Sequence, residues 1–309
     1  MGLRRRSDQI ICISTEADYG DANKVLEAVN DGTVSFDINK SYVEMPVKSG
    51  SAMPKITQRR IGRKAPTITI NSPLYPSLVT LLSDYLNLDH DTDTFDDLPS
   101  YTIWQLTPSL ATAGDGIEAV GCKPETINLT QNEGIWMAEI TFACKDITLE
   151  KAVTGLSSID ITDRPSELPL RYDLDGNVAK IKNDYTTPLD QELDLEDLSI
   201  TLTFERADEN KIYRNSQTKI DDLICSIAGE IMITYTWDDE NPMEADILDD
   251  DGLTFEFKLS QLVGGLDISY KFQRTNFDKP DDTTCVYSAT ITGSLVDEVS
   301  IEASTSTPA

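Results

Sequence analysis

LSITLTF, residues 198–204, decides how this chain folds. Leu198, Ile200, Leu202 and Phe204 fall on one side of an extended backbone, and Ser199, Thr201 and Thr203 on the other. That is the two-residue period of a strand with one buried face. Working outward, Leu253, Phe255, Phe257 and Leu259 repeat the pattern, as do Leu266, Ile268, Tyr270 and Phe272, and in the first half Trp136, Ala138, Ile140 and Phe142. Asp-Gly pairs at Asp31-Gly32, Asp115-Gly116, Asp175-Gly176 and Asp251-Gly252 supply turn signals between such runs. The expected class is mainly β.

One stretch has helical spacing instead. Leu74, Leu78, Leu81, Leu82 and Tyr85 form a single apolar stripe, with Ser72 as the expected N-cap and Pro73 in the first turn. A stripe of this kind packs on a core, so a short helix lying on a sheet is expected.

The order of elements repeats. Strand 34–38 is followed by a long polar loop, strand 66–71, the helix, strand 101–106 and a closing hairpin, TINLTQ with GIWMAEITFA. From Leu198 the order returns: LSITLTF, a polar loop, EIMITYTW, the short helical candidate NPMEADIL, LTFEFKL, and the hairpin LDISYKFQ with CVYSATIT. Two tandem β-barrel or sandwich domains, each with a short α-helix on its sheet, are therefore expected over residues 33–150 and 197–302. Residues 1–32 form an N-terminal arm, 151–196 a connecting segment with one or two short strands, and 303–309 a frayed tail. A length of 309 residues suits two cores of ordinary size.

Composition narrows the chemistry. With 54 acids against 26 bases the formal charge is −28, which opposes sequence-wide affinity for nucleic acid or an anionic membrane. The five cysteines, Cys12, Cys122, Cys144, Cys225 and Cys285, are widely spaced and contain no C-x-x-C pair, so neither a disulfide framework nor a zinc site is implied. After Arg4, Arg5 and Arg6 the apolar run Ile10 to Ile13 is too short for a signal peptide, and no segment has the length of a membrane span.

A single histidine, His90, stands in the acidic run LDHDTDTFDDL, which leaves no histidine pair for metal or acid–base work and offers no nucleophile beside it. Asp89, Asp91 and Asp93 start like a calcium loop, but Thr94 stands where glycine is required and Ser100 where the bidentate glutamate belongs. No phosphate-cradling glycine motif occurs. Catalytic, cofactor and metal residues are accordingly expected to be none, and the chain is read as a non-enzyme.

The positive feature is a basic loop, VEMPVKSGSAMPKITQRRIGRKAPT, carrying Lys48, Lys55, Arg59, Arg60, Arg63 and Lys64 with no acid from Pro46 to Asn71. No aromatic residues interleave with the bases as stacking platforms for nucleic acid would. A complementary surface exists in WDDENPMEADILDDD, where Asp238, Asp239, Glu240, Glu244 and Asp246 crowd together with Asp249, Asp250 and Asp251. Contact between subunits through these opposite charges is the expected role, against a solvated loop or a DNA contact.

The element order, with PTITINSPLYPSLVTLLSDYL as strand and helix and SYTIWQLTPS followed by GDGIEAVGCKPETINLTQNEGIWMAEITFACKDI as strand and final hairpin, resembles the tube domain of the major tail proteins of long-tailed phages, a fold shared with type VI secretion tubes. The resemblance covers residues 34–150 and, more diffusely, 198–295. It implies stacked rings whose inner strands join into one barrel, a long loop reaching the adjacent ring, and passage of DNA along the lumen without specific binding. Its implied partners are further copies of the chain, tape-measure and tail-tip or terminator proteins, with no membrane. Its implied location is the virion tail, assembled in the host cytoplasm. Two domains per chain give a ring of three chains rather than six. The alternative expectation is a β-sandwich module of a virion that binds carbohydrate for adhesion.

Overall fold

The computed structural model describes residues 10–22, 28–47, 55–89, 98–106, 116–151, 167–172, 178–183, 191–206, 224–237, 254–278 and 288–305. The chain is mainly β, with the alternating runs forming strands as their period requires: LSITLTF lies in β12 (Leu195–Arg206), TFEFKL in β14 (Thr254–Ser260), LDISYKF in β15 (Leu266–Asp278) and IWMAEITFA in β8 (Ile135–Ala143).

The first run of strands comprises β1 (Ile10–Thr15), β2 (Ala28–Asp31), β3 (Thr33–Val47), β4 (Lys55–Pro73), β5 (Asn87–Asp89), β6 (Tyr101–Leu106), β7 (Gly116–Asn132), β8 and β9 (Asp146–Lys151). The second comprises β10 (Val178–Asn183), β11 (Gln191–Leu193), β12, β13 (Ile224–Thr236), β14, β15 and β16 (Ser288–Ala303). All belong to one 16-stranded antiparallel sheet system.

The pairing order is the same in both runs. In the first, neighbours follow β2-β1-β6-β7-β8-β4-β3; in the second, β11-β10-β14-β15-β16-β13-β12. Each strand of one list matches, in chain order, the strand at the same place in the other. The runs meet where β12 pairs with β7, Thr126 to Thr130 lying opposite Thr203 to Ser199. β7 has two roles: Gly116–Cys122 pairs with β6 and β9, while its later part lies between β8 and β12. The β7–β8 turn has Glu133 and Gly134 both at positive φ, 50° and 79°, as a two-residue hairpin of matching twist demands.

One contiguous hydrophobic core runs through both halves, with Trp104, Trp136, Tyr85, Tyr101, Tyr235, Tyr270, Phe142, Phe257 and Phe272 among its largest buried side chains. The halves are also stitched by Gln261: its side-chain oxygen accepts the Trp136 indole N–H at 2.7 Å and the Leu266 amide at 2.9 Å.

Several sequence expectations change. The arm over residues 1–32 contains β1 and β2, which extend the sheet beyond β6. The connecting segment holds the two short strands expected, β10 and β11, but β11 pairs with β10 and β10 with β14, so the segment adds to the sheet of the second run. The polar loop after strand 34–38 is a long ladder, in which β3 and β4 remain paired out to Val47 and Lys55. The helix stripe is buried at Leu74, Leu78, Leu82 and Tyr85, but the helices are α1 (Pro76–Leu81) and α2 (Ser83–Leu86), starting after the expected Ser72–Pro73 cap. The Leu74 amide donates to the Trp136 carbonyl at 2.9 Å, which holds the chain extended there, and Pro76 takes the first-turn position.

Candidate functional site

The sheet has two unlike faces where β3, β4, β8, β7, β12, β13 and β16 lie side by side. One rung of the core face reads Val34, Ile70, Ile140, Ile127, Leu202, each opposite the next. The adjacent rungs on the other face read Ser35, Thr69, Thr141, Thr126, Thr203, Ala228, then Thr33, Asn71, Glu139, Asn128, Thr201, Glu230, Ser294, Gln273, then Pro73, Met137, Thr130, Ser199, Met232, Thr292. None of these side chains is buried, and none is a lysine or arginine.

Threonine dominates this face for a local reason. A β-branched side chain suits the pleat, and its hydroxyl bonds across the ladder. Thr69 and Thr141 approach to 3.1 Å, Thr234 and Thr290 to 3.1 Å, and the Thr201 hydroxyl donates to the Asn128 side chain at 3.3 Å. Asp37, Glu139, Glu205 and Glu230 are exposed acids on this side, and where the face continues onto β15 Lys271 is paired with Asp297 and Glu298 at 3.0 and 3.3 Å. The result is a broad, hydroxyl-lined, weakly negative surface. It can hydrate and repel polyanions, and the three rungs offer no cation to hold a phosphate.

Of the expected basic contact residues, Lys55, Arg59, Arg60, Arg63 and Lys64 lie on β4, where Arg59 is opposite Glu44, Arg60 opposite Val43 and Lys64 opposite Lys40. β4 pairs with β8 only from Thr67 onward, so this part of the β3–β4 ribbon pairs with no other described strand. Lys48 and all of Asp238, Asp239, Glu240, Glu244 and Asp246, the expected acidic partner, lie outside the described residues, as does His90.

Other concave or titratable features are local. An open hollow of about 470 Å³ beside α1 and α2 includes Asp84, Ser77 and Glu167, and the Glu167 carboxylate accepts the Ser77 amide at 3.1 Å. Buried Glu16 accepts from the Ser100 and Thr102 hydroxyls and the Gly20 and Gly121 amides at 2.7–2.9 Å, a fully engaged carboxylate that fixes the turn after β1. No group of three or more His, Cys, Asp and Glu suited to a metal occurs among the described residues. Burial pushes the Cys12 thiol up to about 12. Trp104, Trp136 and Trp237 are all buried, so none offers a stacking platform for a sugar.

Sequence reasoning missed the threonine-rich face because it depends on register: residues as distant as Thr33 and Ser294 share one rung. Compared with known protein families and with curated proteins, the chain matches no family model and no curated sequence.

Proposed function

We propose that this chain is a structural subunit of a phage tail tube, that its two runs of strands are tandem tube domains, and that copies join into rings of three chains that stack into a conduit for DNA. The observation that carries this reading is the threonine-rich face, whose three central rungs hold no lysine or arginine and cross from the first run of strands to the second without a break. Turned toward a lumen, such a face lets a polyanion slide, because it hydrates well and presents hydroxyls and carboxylates in place of cations.

The repeated strand order supports the ring count, since two equivalent units per chain place six units around an axis with three copies. The projecting β3–β4 ribbon, with its concentrated bases, suits a contact between successive rings. Under this reading the chain is no enzyme and needs no cofactor; its partners are its own copies and the tape-measure, tail-tip and terminator proteins, and it resides in the virion tail after assembly in the host cytoplasm. The test is electron microscopy of the purified protein at rising concentration. Hollow rings and tubes are expected. Monomers at every concentration, together with binding to immobilised glycans, would replace the reading with the adhesion module.

A further inference from the structure

The joint between β7 and β12 is a template for a contact that the chain does not complete within itself. Matched strand for strand, with the ends of β4 and β13 aligned, the rung Val34, Ile70, Ile140, Ile127 of the first run is the counterpart of the rung Leu198, Ile233, Ile291, Phe277 of the second. Three of the first four and three of the second four are buried; the exceptions are Val34 and Phe277, both half-buried. These two stand at the outer ends of the paired lists. Their counterparts at the joint, Leu198 and Ile127, are fully buried.

The outer edges are open in the same sense. Among the described strands β3 pairs with β4 alone, and none pairs with the other edge of Asn276, Phe277 and Asp278 on β15. Their counterparts Thr126, Ile127 and Asn128 on β7 have that edge occupied by β12. The apolar surface follows the difference: Phe36 is 41% exposed while Ile200, its counterpart on β12, is 0% exposed. An unpaired strand edge with exposed apolar side chains is a surface awaiting another strand.

We infer that a second copy of this chain supplies it, its β3 pairing antiparallel with β15 in the register of the internal joint. That joint sets Ile127 opposite Leu202 and Asn128 opposite Thr201. Carrying Leu198 onto Val34 and Ile127 onto Phe277 sets Phe277 opposite Ile38 of the neighbouring copy and Asp278 opposite Asp37 of the neighbouring copy. The contact is head-to-tail, so it repeats from copy to copy and closes when the rotation per copy divides a full turn. The rung that holds a Thr201–Asn128 hydrogen bond inside the chain holds two carboxylates between chains. Screening therefore strengthens this contact as salt rises through the range where surface charges are felt.

The inference rests on the self-assembly proposed above and is tested separately from it. In a Cys225→Ser, Cys285→Ser background, Asp37→Cys with Asp278→Cys places two thiols on facing strands. Both positions are exposed, so folding, checked by circular dichroism, should be unchanged. Mild oxidation should give reducible dimers and trimers on a non-reducing gel, roughly tenfold faster than Ser35→Cys with Asp278→Cys, whose thiols fall out of bonding range. In the unmodified protein, amide exchange at 33–38 and 276–278 should slow as concentration rises through assembly. Absence of cross-links and of protection overturns the inference. If rings are still seen by microscopy, only this edge and register fall; if rings are also absent, the tube reading falls with them.

Discussion

β3 and β12 hold the same place in the repeated strand order, yet one is an edge and the other an interior strand. LSITLTF alternates cleanly because β12 has neighbours on both sides and a core beneath; Ile200 and Leu202 are 0% exposed. VSFDINK begins with the same alternation and then loses it, and Phe36 remains 41% exposed. The comparison teaches that the period of two records burial, which assembly can supply as well as folding.

The largest expected effect breaks the comparison from the interior side. Leu202→Ala removes fully buried methyl groups at the joint and should cost about 2–5 kcal/mol of stability. Ile38→Ala, its counterpart on the edge strand, should cost the isolated chain less than about 1 kcal/mol while raising the concentration needed for assembly. Urea denaturation at low protein concentration, paired with sedimentation, measures both.

Next in size is a packing constraint within the second run. A Cβ on Gly293 would overlap the ring of Phe272, and neither the backbone nor the buried ring has room to move. Gly293→Ala should lower stability by about 1–3 kcal/mol, read as a shift in denaturation midpoint at unchanged slope.

Alkali should separate the halves. Burial raises Tyr235 and Tyr270 of the second run above their ordinary value, with Glu230 adding to the effect at Tyr270. Among the described residues neither hydroxyl has a hydrogen-bond partner. In the first run, Tyr85 and Tyr101 donate to the carbonyls of Pro99 and Leu81. The hydrogen bond to Asp297 leads the causes that raise Lys271. For tyrosines and lysine alike the folded value lies above the unfolded one, so their contribution is full below pH ~10 and lost as pH rises through the folded values. Tyrosinate absorbance and hydrogen exchange from pH ~9 upward should show the second run opening first. Simultaneous opening of both runs would contradict this assignment.

Much of this fold was legible from alternation, since β8, β12, β14 and β15 each bury one face against the shared core. β1 was not, because Ile11, Cys12, Ile13 and Ser14 are all buried and show no period. The extended β3–β4 ribbon was hidden for the opposite reason: beyond Ile38 and before Pro66 it pairs only with itself, so no core imposes a pattern. The basic residues of that ribbon were visible as a charge run, whereas the polar face was not, because its rungs collect residues from strands far apart in sequence.

The ribbon carries the smallest effect on the isolated chain. Arg59→Glu with Arg60→Glu should leave the circular dichroism spectrum unchanged, since exposed ion pairs are worth roughly 0.2–1 kcal/mol each. Repeated at every ring, the loss should shorten or abolish tubes while rings persist, and high salt should do the same to the unmodified protein. Full-length tubes from the double variant would reduce the ribbon to a solvated connection.

The most direct test of the central claim is the mass of the isolated ring by native mass spectrometry, with the ribbon variant used to prevent stacking. Three copies of the 34.2 kDa chain are predicted, with six lobes in the corresponding microscopy averages. A six-chain ring, or a species that stays at the mass of one chain at every concentration, would contradict it.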